Sequence, residues 1–453
     1  MSRWIPYSPT PDRPWNLARV VHLHRRAGLG ATWAELQRDL SDGPDIAVKR
    51  LLKGISRSEG VPDEFETLSA TIAKSAIDAE DEHRLKAWWV YRLLMTPDPL
   101  GERLTLMWHN HFATSLIKVT RLKWMHRQNL TFRQHARGAF GALLDAMLND
   151  PALLSWLDAP QNRAGHPNEN LARELLELFT LGIGNYTESD VRESARVLTG
   201  ITIDDLGSVQ FDSSKHDGDS KTILGKSGDL QLGDLHELLT SHPATARHIA
   251  WRLCREFCGE NVVDDDALNE LAAGLRTNQL RIDWAIETIL RSSLFFSEGN
   301  LRSRIADPVS SLICPLRAFE CHRNPPNTLA VADGIRRMGL NLFTPPNVGG
   351  WTGGRSWMST MTVIARTNVI AELLQGSMQL PTEPIDLIAL LDRYHIGDTL
   401  SDAIRFLGSL LHGDITNESV EQLARSVREE TDRSHQLRTI AEMLLTSTAG
   451  HLH

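Results

Sequence analysis

The stretch HPNENLARELLELFTLGIGNYTESDVRESARVLTG, residues 166–200, decides the fold. Leucines surround Glu174 and Glu177 on a segment that otherwise reads as core, and the spacing predicts a helix starting near Asn168. Gly182 and Gly184 in GIGNYTESD suit a helix C-terminal cap. Thr187 and Asp190 have the spacing of a capping box, so a second helix follows. At about 100° per residue, Asn170, Glu174 and Glu177 fall on one narrow stripe, with Arg173 beside it in reach of Glu169 and Glu177.

Helical periodicity continues on both sides of this pair. LARVVHLHRRA, TWAELQRDLSDG, the run from Ala70 to Met95, LGERLTLMWHNHF, TFRQHARGAFGALLDAMLND and PALLSWLDAP all repeat apolar residues three and four apart. From Ile201 to Gly233 the texture changes to short alternating runs rich in Asp, Ser and Gly, which predicts one or two small hairpins. Helical periodicity resumes at HPATARHIAWRLCREFC, with Pro243 in a favourable first-turn position. The fold class is therefore mainly α, a multi-helix α-α array or bundle with a small β-hairpin excursion near residues 201–233. Four regions follow: 1–200, the excursion 201–240, a second helical region 241–380 containing a Gly-rich loop at 345–357, and a helical region 381–453 after the break LPTEPID.

At 453 residues the chain is long enough for a large buried core, and 41% hydrophobic with 23% charged residues excludes a disordered or low-complexity protein. Scattered basic residues and a formal charge of −9 speak against nucleic acid as the main partner. No apolar run is long enough to span a bilayer, and prolines interrupt the N-terminus where a signal peptide needs an apolar stretch. Cys254, Cys258, Cys314 and Cys321 are too few and too clustered for a disulfide framework. These features predict a cytoplasmic protein without membrane insertion. Cys254 and Cys258 share the stripe of Ile249, Ala250, Leu253 and Phe257, the pattern of buried core thiols.

Three constellations carry chemistry. The stripe of Glu174 and Glu177 with Asn170 offers carboxylates for acid-base work or metal ligation, or else structural ion pairs with arginines such as Arg173, Arg192 and Arg196. In MWHNHF, His109 and His111 diverge by about 200° on a straight helix but share a face in an extended segment. Facing the stripe, His109, His111 and Glu174 would form a mixed site for a divalent transition metal; otherwise each imidazole is a core residue. The loop NVGGWTGGRSWMST has four glycines, Arg355 as a bidentate cation, and a helix start at Ser356 or Ser359, features that suit the anionic end of a substrate. Trp351 and Trp357 can equally anchor a structural loop. His216, Asp217 and Lys221 lie together in KHDGDSKTILG, which offers either a substrate contact or simply a turn.

Together these give Glu174, Glu177 and His111 as candidate catalytic residues, with His24 as a further contributor. Asn170, Arg173, Arg355, Trp351, Lys221 and His216 are candidate substrate contacts. Metal-assisted hydrolysis or redox chemistry is the enzyme reading. A non-catalytic helical scaffold is the alternative. Only Glu80 and His83 supply an obvious Glu-x-x-His, so the paired motifs of a diiron bundle find no support.

The block NENLARELLELFTLGIGNYTESDVRESARVLTG resembles the bacterial domain of unknown function 1800 family. HLHRRAGLGAT, MWHNHFATSLIKV, PALLSWLD, HDGDSKTILG, HPATARHIAWRLC and PPNVGGWTGGRSWMST follow in the same order. Leu29 stands where the usual pattern has Phe. The resemblance implies a mostly helical bacterial protein and a sulfatase-like protein as partner, without implying a reaction.

Overall fold

The computed structural model describes residues 2–54, 63–323, 325–376 and 384–453. Among them are 23 α-helices and two small antiparallel two-stranded sheets, so the chain is mainly α. The hairpins pair Ile201–Ile203 with Val209–Phe211 and Lys221–Ile223 with Lys226–Gly228. Leu232–Ser241, expected in the excursion, is helical, because Gln231 and Asp234 form a capping box and Leu235 and Leu239 turn into the core. The run from Ala70 to Met95 is divided between helices Asp63–Asp78 and Glu82–Met95. The expected boundary at residues 380–381 lies outside the described residues.

Capping follows local chemistry. Thr32 and Glu35 close a capping box on Trp33–Asp42, and Thr187 and Asp190 close the expected one on Glu188–Val197. Pro243 occupies the first turn of Pro243–Phe257, where its missing N–H costs nothing.

The core has two parts that meet at the Leu17–Ala27 helix. Leu23 and Ala27 face one, with Trp108, Phe112, Phe140, Leu175, Phe179 and Phe257. Val20 and Val21 face the other, with Trp88, Trp89, Val309, Phe343 and Leu407. Arg103 crosses the seam. Fully buried, it donates to Gly28 O at 2.7 Å, Arg25 O at 3.2 Å, Ser310 Oγ at 2.9 Å and Glu256 Oε1 at 3.1 Å. A guanidinium is tolerated there because its donors find acceptors and its charge a carboxylate. All four cysteines are free thiols. Cys254 and Cys258 are buried, as expected, and so is Cys314, while Cys321 is half-buried. No helix among the described residues is long and apolar enough to cross a membrane.

Candidate functional site

The helix that carries the two glutamates is not a regular α-helix. Asn170–Glu174 is α-helical, and Leu175–Thr180 then widens into a π-helical turn. Leu181 N–H and Gly182 N–H both donate to Leu176 O, at 2.9 and 3.2 Å, and Thr180 Oγ1 donates to Leu175 O at 2.6 Å. Gly182, at φ +80°, takes the left-handed conformation that ends the helix.

The helix end leaves carbonyls without backbone donors. Two imidazoles satisfy them: His248 Nε2 donates to Leu178 O at 2.9 Å, and His111 Nε2 donates to Phe179 O at 3.0 Å. A carbonyl only accepts, so each Nε2 carries the ring proton and each Nδ1 keeps a lone pair. The rings lie 5.9 Å apart between centroids. Burial, then the charge of Arg252, hold His111 well below the usual histidine range; burial likewise lowers His248. Both are neutral at pH 7.

Glu177 belongs to the same turn. Its Oε2 accepts from the Tyr186 hydroxyl at 2.6 Å, which leaves Oε1 without a partner among the described residues. Glu177, His111 and His248 together line a cavity of about 660 Å³. Leu178, Leu181 and Ile183 form part of its wall, and Asn110, Val348 and Gly349 another.

The remaining wall is one face of the Pro243–Phe257 helix. Ala244, Arg247, His248, Trp251, Arg252 and Arg255 recur three and four apart on it. The opposite face, Ile249, Ala250, Leu253 and Phe257, packs into the core. The three arginines are not equivalent. Arg247 donates to Asn269 Oδ1 at 3.0 Å and pairs with Asp265 at 2.8 Å. Arg255 donates to Thr352 O and lies over the Trp251 ring, 5.3 Å from its centroid. Arg252 has no hydrogen bond or ion pair among the described residues, and its Nε is buried without a partner. Burial and neighbouring Arg255 lower its pKa to about 10, so it stays charged at neutral pH.

The Gly-rich loop is fixed to the MWHNHF helix by Asn110. Asn110 Oδ1 accepts from Trp351 N at 2.6 Å and its Nδ2 donates to Trp351 O at 3.3 Å. Gly350, at φ +77°, makes this approach sterically feasible, since a Cβ there would lie 2.6 Å from Asn110 O. Trp351 is buried and packs against His109, so it anchors the loop.

The other candidates lie elsewhere. His109 and His111 share the straight helix Pro99–His111 and diverge. His109 is enclosed by Trp89, Phe132, Phe343 and Trp351, both its nitrogens unpartnered. Among the described residues no group of three His, Cys, Asp or Glu is placed to hold a metal ion, so His109, His111 and Glu174 are not drawn together. Glu174 lies near Glu177, and burial followed by the Glu177 charge raises its carboxyl pKa. Asn170 donates to Asp158 Oδ2 at 3.3 Å. Arg173 pairs with Glu169 at 3.0 Å as expected, but with Glu188 at 2.8 Å in place of Glu177. Arg355 points to solvent, 87% exposed and 3.6 Å from Glu260. The loop enters its helix at Ser359, which caps Thr360–Gln375.

The excursion residues close their own turn. His216 Nδ1 is 3.0 Å from Thr199 O, Asp217 pairs with Arg196 at 2.7 Å, and the buried Lys221 donates to Asp219 O at 3.0 Å. His24 bonds Asp39 at 2.7 Å beside a cavity of about 30 Å³, room for one water.

Sequence spacing points to Glu177, His111 and the Gly-rich loop but not to Asn110, and it does not single out His248, Trp251 and Arg252. Their signal is the polar and aromatic stripe of Pro243–Phe257, opposite the apolar stripe that carries Cys254.

A family model described as "Protein of unknown function (DUF1800)" matches residues 22–449. No curated protein and no solved structure matches the chain.

Proposed function

The chain belongs to the DUF1800 family, whose description assigns no activity, and from the site itself we propose that it is an enzyme acting on a small molecule by acid-base chemistry. Glu177 is the general base, with Oε1 toward the substrate and Oε2 held by Tyr186. His111 and His248, neutral and each with Nδ1 as an acceptor, are the second pair of proton-handling groups. The supporting observation is convergence: a carboxylate and two neutral imidazoles from three sequence-distant segments line one cavity of about 660 Å³. Proton abstraction and hydrolysis by an activated water are the reactions such a set performs. A divalent metal is not required by this arrangement, and its expected ligand set is not assembled among the described residues.

The scaffold reading, including one in which a sulfatase-like protein is the partner, is favoured by a separate observation. Both histidines cap carbonyls, a structural duty that needs no substrate. Glu177→Gln separates the two readings. In a screen of small ester, amide and carbon-acid substrates, the enzyme reading expects turnover that falls about 10²-fold or more in the variant at unchanged melting temperature. Turnover that persists in Glu177→Gln, or an effect confined to melting temperature, overturns it.

A further inference from the structure

Arg252 is the unusual charge in this pocket. Arg247 is matched by Asp265, and Arg255 is occupied by the Thr352 carbonyl and the Trp251 ring. Arg252 has neither a carboxylate nor a carbonyl within bonding distance among the described residues, yet its Nε is buried. A guanidinium whose Nε is buried without an acceptor is costly, and proteins keep such a group chiefly where an anion completes it.

The surroundings restrict that anion. Glu177 lines the same cavity and repels a second negative charge, while His111 and His248 contribute no positive charge when neutral. One guanidinium with unpartnered donors, set against one carboxylate, favours a monoanion. A planar fork of two N–H groups matches a carboxylate edge to edge. A phosphate monoester, close to dianionic at neutral pH, would meet Glu177 and find only one guanidinium whose N–H groups are free to bond it.

Much of the rest of the wall is apolar. Leu178, Leu181, Ala244 and Val348 line it, Trp251 is 40% exposed, and Ile183 stands at the rim 79% exposed between Gly182 and Gly184. Two large apolar side chains left this open at one cavity mouth mark where a ligand body would be covered.

We infer that the molecule taken by this pocket is a small amphipathic carboxylate, its carboxylate paired with Arg252 and its apolar body against Trp251 and Ile183. This rests on the pocket being the substrate site, as proposed above, and adds the substrate class. In the acid-base reading it places the carboxylate end at Arg252 and the apolar body against Trp251 and Ile183, with Glu177 as the base on the part that reacts.

The test uses the full chain with hexanoate, cinnamate and 3-phenylpropanoate as probes. Their comparators are 3-phenylpropanol, which has no charge, and 2-phenylethyl phosphate, which carries a different one. Affinity is read by calorimetry and by tryptophan fluorescence. The expected result is carboxylate binding at least tenfold tighter than the alcohol and tighter than the phosphate, lost about tenfold or more in Arg252→Gln and partly retained in Arg252→Lys. The comparison of probes on the unaltered protein stands even where a variant fails to fold. Alcohol binding as tight as the carboxylates, a preference for the phosphate, carboxylate affinity unchanged in folded Arg252→Gln, or no binding by any carboxylate each overturns the inference. Arg252-dependent carboxylate binding with turnover unaffected by Glu177→Gln would sustain this inference and defeat the acid-base reading alone.

Discussion

The hydroxyl of Tyr186 donates to Glu177 Oε2 at 2.6 Å, across the turn that links the two helices of residues 170–197. The bond fixes one oxygen of the carboxylate and leaves the other without a partner among the described residues. Burial, then the bond to Glu177, pushes the Tyr186 hydroxyl up to about 12, so it remains the donor throughout the physiological range. Tyr186→Phe is expected to cost about 1 kcal/mol, the low end for a charge-assisted bond because the pair is partly exposed. Urea unfolding checks this, and a loss below about 0.3 kcal/mol would show that solvent replaces the hydroxyl.

The two histidine caps should be separable from chemistry by stability. His248→Ala leaves Leu178 O without its donor in a half-buried position, for an expected cost of about 1 to 2 kcal/mol. Gly182→Ala adds a strained left-handed residue whose Cβ would lie 3.2 Å from His248 Nδ1, with a similar cost. Thermal melts of both variants test whether this helix end depends on its cap.

Stability should fall on the acid side because of His109. Its pKa is lowered to about 3 by burial, whereas in the unfolded chain it lies near the ordinary 6.5. The folded state therefore excludes a proton that the unfolded state takes up. The contribution is complete above the unfolded value and is lost as pH falls from about 6.5 toward 3. His109→Phe keeps an aromatic ring in the cage without titrating. Its stability between pH 7 and 4.5 should drop by roughly 2 kcal/mol less than that of the unaltered protein. Equal slopes in urea melts at the two pH values would refute this.

Arg355 and Gly350 sit on one loop and should behave oppositely. Arg355→Ala removes an exposed side chain with one 3.6 Å contact and should change stability by less than about 0.5 kcal/mol, with ligand binding intact. Gly350→Ala forces a Cβ against the Asn110 carbonyl at a positive φ, and should cost about 2 kcal/mol or more while freeing the pocket wall at Val348 and Gly349. Melting temperatures of the pair decide this.

Much of the fold is legible because helical periodicity and caps are local. Thr187 and Asp190, or Pro243, announce their helices without tertiary help. The Leu232–Ser241 helix is harder to read because it follows directly on a Gly-rich hairpin that masks its start. At the site, Glu177 and His111 stand out as polar groups in apolar surroundings. Arg252 does not, since an arginine on an amphipathic helix looks the same whether it faces water or a cavity. Arg355 misleads in the opposite way: glycines around a cation resemble an anion cradle, but here they let Trp351 reach Asn110 and leave the guanidinium in solvent. The divergence of His109 and His111 depends on the segment being helical to its end, which spacing alone leaves open.

The widened turn at Leu175–Thr180 also makes residue count a functional variable. Removing one residue from it would let the helix close in regular α form, an improvement in local hydrogen bonding. The same deletion would leave the flanking turns nearly in phase, because the wide turn already absorbs one extra residue, but within the segment it would change which carbonyls are left free. Glu177 and the carbonyls that receive His111 and His248 are spaced for the longer count, so a shorter segment would be a better helix with its site groups displaced. Tolerance to insertion and deletion should accordingly be lowest here, even though substitutions among the leucines leave the chain helical.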